Sequence, residues 1–172
     1  MRRRDEEEFV AFATAARARL RRTAFLISGD WELASDIVQE ALIRVYVAWP
    51  RIERKGGLPT YARRCVVNVA IDLGRKRSST EVPAGPDAMD RPAGTVDLGV
   101  PAREALLDAL RELPPRQRAC VVLRYFEDLS IRETAEVLGC HEGTVKSQTA
   151  RALDSLRQQT HIQDLVDEGA IS

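Results

Sequence analysis

Residues 128–156 read DLSIRETAEVLGCHEGTVKSQTARALDSL, two short amphipathic helices joined by a tight glycine turn. In the first helix Ile131, Ala135 and Leu138 recur at helical spacing, and Ala135 is small where a second helix has to cross closely. Gly139 supplies the turn. In the second helix Val145, Thr149, Ala152, Leu153 and Leu156 fall on one stripe, which directs Thr144, Lys146, Ser147, Ala150 and Arg151 away from it. A helix entering the major groove needs short side chains where it approaches closely, and a few donors for base edges and phosphates. This outer face has both, so the stretch reads as a DNA-binding helix-turn-helix. The plain alternative is an αα-hairpin with a solvated face. Such a face carries long Glu and Lys pairs, whereas small and hydroxyl residues stand here.

The rest of the chain is helical in pattern as well. Hydrophobic residues make up 44% of the 172 and aromatics 5%, so cores rest on Ala, Leu and Val, a composition that suits helices better than sheets. The formal net charge is zero, but the charge is unevenly placed. Up to Arg77 there are 16 Lys and Arg against 10 Asp and Glu; residues 78–101 have 1 against 4, and residues 102–172 have 9 against 12. Positive charge is thus concentrated in the first half, ending at Arg75, Lys76 and Arg77. Cys65, Cys120 and Cys140 lie 55 and 20 residues apart, which fits no zinc pattern and cannot pair completely as disulfides. They read as reduced, mostly buried thiols, and no metal or other cofactor is implied. No apolar run has the length of a signal peptide or a membrane span, which places the protein in the cytoplasm.

The fold expected is all-α: two small helical domains, 1–77 and 102–160, joined by a flexible linker at 78–101 and followed by a tail at 161–172. In the first domain Phe9, Phe12, Ala13, Ala16, Leu20, Ala24 and Ile27 form one helical stripe, stopped by Gly29. Asp30 caps a second helix with Ala34, Ile37, Val38, Ala41, Val45 and Trp49 inward, ended by Pro50. A loop, 51–59, follows. Thr60 is read as the cap of a third helix with Ala62, Val66, Val69, Ala70 and Leu73 inward, and Arg63, Arg64, Asn68, Asp72, Arg75 and Lys76 outward. The linker holds four of the eight prolines and three glycines with no apolar period. Beyond it, helices are expected near 102–113 and 116–126, the first ended by Pro114 and Pro115.

With these elements in order, the chain resembles the bacterial RNA polymerase sigma factors of the compact extracytoplasmic-function group. Residues 113–118, LPPRQR, and then LRYFEDLSIRETAEVLGCHEGTVKS resemble the fourth conserved region of that family. DIVQEALIRVY at 36–46 and YARRCVVNVAIDLGRKR at 61–77 resemble the second. The resemblance implies a protein that binds core RNA polymerase and directs promoter-specific initiation through minus-10 and minus-35 elements, with no covalent chemistry of its own. It implies a polymerase-clamp coiled coil of the largest subunit as the partner of Asp36, Gln39, Glu40, Ile43 and Arg44. It puts minus-10 DNA on Arg63, Arg64, Asn68, Arg75, Lys76 and Arg77, and minus-35 DNA on His141, Thr144, Lys146, Ser147, Gln148 and Arg151. Gln148 lies nearest the core stripe, and His141 stands where relatives often have a small capping residue. An anti-sigma partner is implied too, and a monomer when free.

The residues speak for these roles independently. Ile43 and Val47 are aliphatics on the same outward face as Asp36 and Glu40, as a partner-helix surface requires. Arginines on the third helix supply phosphate contacts, and Asn68 can donate and accept at a base edge. Three other classes remain open on residues alone. An autonomous helix-turn-helix regulator needs a dimer interface or a receiver domain, and the first half has neither pattern. A recombinase needs a nucleophile beside arginines, for which Tyr61 with Arg63 and Arg64 is the nearest approach. A helical adaptor would leave Lys146 and Arg151 without a role.

Overall fold

A computed structural model of the chain describes residues 3–52, 57–78 and 100–159, with the side chains of residues 77, 78 and 100–102 outside that description. These residues form two units, each treated by itself. Residues 79–99 and 160–172 lie outside the described residues, and with them most of the expected linker and the whole tail.

The first unit is three helices: α1 (Arg3–Ser28), α2 (Trp31–Ala48) and α3 (Gly57–Ser78). Gly29 ends α1 at φ 76° while its amide donates to the Phe25 carbonyl at 2.7 Å, a backbone conformation that glycine adopts at least cost. Asp30 then caps α2 by accepting from the Leu33 amide at 2.9 Å, as its place before the stripe foretold. All six residues expected inward on α2 are buried, and Trp49 closes the stripe in a 3-10 turn (Trp49–Arg51), with Phe9 edge-on at 5.3 Å. On α1 only the far half of the stripe, Leu20, Ala24 and Ile27, is fully buried; Phe9, Phe12, Ala13 and Ala16 are half-buried.

Two expectations about α3 are corrected. Thr60 is not its cap: the helix starts at Gly57, so Thr60 lies inside the first turn beside Pro59, whose missing N–H goes unneeded there. Leu58 and Pro59 therefore leave the expected 51–59 loop, whose residues 53–56 lie outside the described residues. Nor is α3 buried on one side alone. Cys65, Val67 and Ile71 are buried along with Ala62, Val66, Val69 and Ala70, so both α1 and α2 pack on it.

The second unit contains α4 (Val100–Glu112), α5 (Pro115–Val121), α6 (Ile131–Leu138) and α7 (Glu142–Gln158). The single helix expected at 116–126 is instead α5 followed by a π-helical turn, Val122–Phe126, in which the Glu127 amide reaches the Val122 carbonyl at 3.0 Å. Pro114 and Pro115 separate α4 from α5, and Arg118 folds back across the break. Its guanidinium donates to the carbonyls of Arg111 (2.7 Å) and Leu113 (2.8 Å), groups that the end of α4 leaves without helical partners. Burial pulls this guanidinium down to about 10, still fully charged at neutral pH. Leu106, Ala109 and Leu110 of α4, Leu113 just past its end, Val121 of α5, and Ala152 and Leu156 of α7 make the core.

The turn into α6 carries Asp128 at φ 54°, held where the Leu129 amide donates to Leu123 (3.0 Å) and the Arg124 guanidinium to the Leu129 carbonyl. Ser130 and Glu133 then form a reciprocal capping box. Thr134, wholly buried in α6, leaves its hydroxyl without a hydrogen-bond partner. Arg118→Ala should therefore destabilise this unit by about 1–3 kcal/mol, and Thr134→Val should stabilise it by about 1 kcal/mol, both read from urea unfolding. Equal midpoints for wild type and Arg118→Ala would show the capping contact to be idle.

Candidate nucleic-acid interface and docking face

Two backbone devices fix how α7 is presented. Gly139, at φ 63°, lets the Ala135 carbonyl accept from the amides of both Gly139 and Cys140 (3.1 Å for Cys140), which reverses the chain within a few residues. His141 occupies the cap position of α7, and its carbonyl accepts from Thr144 (3.0 Å) and Val145 (3.2 Å). Its exposed imidazole makes no capping bond, so the ring leaves the first turn of α7 open. Val145, Ala152 and Leu156 are buried against α5 and α6. The opposite side, with Gly143, Lys146, Ser147, Ala150 and Arg151, is exposed, while Thr144 and Gln148 are half-buried at its edge. By helical geometry this exposed arc spans about 140°, with Lys146 and Arg151 at its two margins and small residues between them.

Charge on this arc is available to a partner. Among the described residues neither Lys146 nor Arg151 is in an ion pair, whereas Arg132 pairs with Glu136 at 3.7 Å on α6, and Arg157 with Asp154 at 3.5 Å further along α7. A Cβ placed on Gly143 would meet nothing within 4 Å, so the helix can come close to another surface there. The Ser147 hydroxyl donates to the Thr144 carbonyl at 3.1 Å, leaving its lone pairs outward.

In the first unit α3 offers a narrower arc. Arg64, Asp72, Arg75 and Lys76 are exposed and Asn68 half-buried, and Arg64, Asn68, Asp72 and Arg75 lie within about 80° of one another. Arg63 is half-buried on a different side, about 100° from Arg64, so the structure separates it from the face it was expected to share. The Arg77 side chain lies outside the described residues. Tyr61, at the start of α3, bonds to the Cys65 thiol, and burial pushes both groups up from their ordinary ranges.

The outward face of α2 brings Asp36, Gln39, Glu40, Ile43 and Arg44 together as expected, all exposed. Glu40 and Arg44 hold each other at 3.0 Å in a half-exposed pair, so neither is an isolated charge. Ile43 is 53% and Val47 71% exposed; Tyr46, with Phe9 edge-on at 5.1 Å, extends this apolar surface beyond the five residues expected on it. Its signal was an aromatic one residue from a buried position, which period alone leaves ambiguous.

A helix-turn-helix with an exposed polar arc, and a three-helix unit with an exposed apolar face and a basic arc, are the parts a modular DNA-reading transcription protein needs. Residues 12–80 match the family model for sigma-70 region 2, and residues 103–156 that for sigma-70 region 4. The chain is 37% identical over 158 residues to the RNA polymerase sigma-E factor of Streptomyces coelicolor, covering 92% of this chain and 89% of that one. It is 35% identical over 133 residues to the ECF RNA polymerase sigma factor SigM of Mycobacterium tuberculosis, covering 77% and 67%. In fold it resembles the sigma factor RpoE of Bartonella quintana, solved in complex with the anti-sigma factor NepR, with a TM-score of 0.71 at 23% identity over 89% of this chain and 96% of that one. The chain belongs to the extracytoplasmic-function sigma factors of the sigma-70 family, and as such directs transcription initiation and is not an enzyme. Among the described residues no helix is long and apolar enough to cross a membrane.

The thiols give a direct check on this geometry. Cys120 is wholly buried and its thiol is pushed up to about 11, chiefly by burial; Cys65 is buried and raised too; Cys140 is half-buried in the turn before α7. At pH 8 only on the order of one Cys120 in a thousand is thiolate. Iodoacetamide followed by peptide mass mapping should label Cys140 first, with Cys65 and Cys120 protected until the protein unfolds. Rapid native labelling of Cys120 would contradict the packing of α5 against α7.

Proposed function

We propose that this sigma factor binds core RNA polymerase through α2, with Asp36, Gln39, Glu40, Ile43 and Arg44 set against a coiled coil of the largest-subunit clamp. Arg64, Asn68, Arg75 and Lys76 of α3, with Arg63 and Arg77, contact the minus-10 element and help to melt it. His141, Thr144, Lys146, Ser147, Gln148 and Arg151 contact the minus-35 element. The domains act as 1–77 and 102–160, the stretch 78–101 letting both engage one promoter so that each raises the effective concentration of the other. An anti-sigma factor holds the protein in the cytoplasm until it is needed, and the free chain is a monomer.

The observation that carries this reading is two cations, Lys146 and Arg151, in no ion pair among the described residues and bounding a small-residue arc on the exposed side of α7. Exposed aliphatics on α2 support the docking role, because a solvated face has no use for Ile43 and Val47 side by side with carboxylates. An autonomous helix-turn-helix regulator is disfavoured, since residues 12–80 match sigma-70 region 2.

Run-off transcription with core polymerase, with and without the chain, on a set of candidate promoters tests the proposal. Promoter-specific transcripts should appear only with the chain, and their absence with competent core enzyme would end it. Ile43→Asp should weaken core binding at least about tenfold, an effect of ~1.4 kcal/mol, while leaving thermal melting unchanged. For the holoenzyme on promoter DNA, Lys146→Ala and Arg151→Ala should each lower the salt slope of binding by about 1.

A further inference from the structure

Ala150 is the one apolar side chain with a Cβ on the exposed arc of α7; the other exposed residues of this helix are Glu142, Gly143, Lys146, Ser147, Arg151, Asp154, Arg157 and Gln158. It sits between the flanking cations, one turn beyond Lys146 and next to Arg151. Both of those make no ion pair among the described residues, so they are able to grip phosphates on either side of whatever Ala150 meets. One turn further on, Asp154 is exposed and paired with Arg157 at 3.5 Å, and a carboxylate there keeps the phosphate backbone away. The stretch that can lie deep in a groove is therefore 143–151, and Ala150 is its last small residue. On the groove floor a methyl group has no hydrogen bond to offer. What it can meet favourably is the 5-methyl group of thymine, the apolar feature by which the major groove tells T from C.

Resting on the assignment of α7 to the minus-35 element, we propose that Ala150 determines specificity there, selecting an A·T pair by contact of its Cβ with the thymine 5-methyl group. Ser147, one turn earlier, has turned its proton to the Thr144 carbonyl, so it accepts from a base amino group and does not compete for this contact. Thr144 also has a methyl but is half-buried at the edge of the arc.

The test uses the holoenzyme of this chain with core polymerase, on a promoter selected from a pool randomised through the minus-35 element. Each thymine of the selected element is replaced in turn by deoxyuridine, which lacks only the 5-methyl group. At one position the replacement should weaken open-complex formation about fourfold with wild type, as loss of one buried methyl implies. In Ala150→Gly, which removes that Cβ and is assayed at a temperature where the variant is fully folded, that position should become indifferent to the replacement. Deoxyuridine tolerated at every position, or the same loss in wild type and Ala150→Gly, overturns the role of Ala150. If scrambling the whole element leaves initiation unchanged, the assignment of α7 to minus-35 DNA fails instead, and the specificity role falls with it.

Discussion

Burial of one side of α7 governs the rest of the second unit. A helix laid in a groove needs firm support from behind, because each lost ångström of placement loosens every contact in front. Val145, Ala152 and Leu156 give that support, and all three are completely or nearly completely enclosed, Ala152 being small enough for α5 to approach closely. The neighbouring devices serve this placement. Gly139 and the Ala135 carbonyl set the angle between α6 and α7, Arg124 and the capping box set the start of α6, and Arg118 ties α4 to α5 across two prolines. With that side committed to the core, the Lys146 to Arg151 arc is what α7 has left for a partner.

The first unit obeys a related constraint with a different result. Ala24, Ala34, Ala41 and Ala62 are almost wholly enclosed, so three helices pack with close backbones, and α3 is covered on all but a narrow side. That side is basic. On α2, by contrast, the packing leaves a broad face open, and the large apolar side chains exposed among the described residues, Val10, Ile43, Tyr46 and Val47, all belong to this unit. The exposed apolar face and the basic arc are thus on separate helices of one small bundle, while the second unit exposes no comparable apolar patch among its described residues.

Much of this was legible in the chain. The stripe of α2, the Asp30 cap, the Gly29 and Gly139 turns and the outward set on α7 follow from period and capping chemistry, which act locally. Where the structure departs from that reading, two causes are local and the others are tertiary. Thr60 looked like a cap because hydroxyl residues often are, although Pro59 just before it was a signal of a helix already begun. Val67 and Ile71 escaped because a helix packed on several sides loses the single stripe that periodicity detects. Arg63 was grouped with Arg64 although helical rotation sets adjacent residues about 100° apart. The π-helical turn has no local signature in VLRYF, and Arg118 reaches carbonyls of the preceding helix that no sequence spacing announces. The Ser130 and Glu133 box, in contrast, was there to be read in SIRE.

As proposed, promoter recognition is divided between two small surfaces, neither sufficient without polymerase. It is tested most directly by fluorescence anisotropy of a promoter fragment carrying both elements, titrated at physiological salt with the chain alone and with the chain bound to core enzyme. Division predicts weak, sequence-indifferent binding by the chain alone, in the range of ~10⁻⁴–10⁻⁶ M, and a specific complex only with core enzyme. Nanomolar, sequence-specific binding by the isolated chain would contradict it.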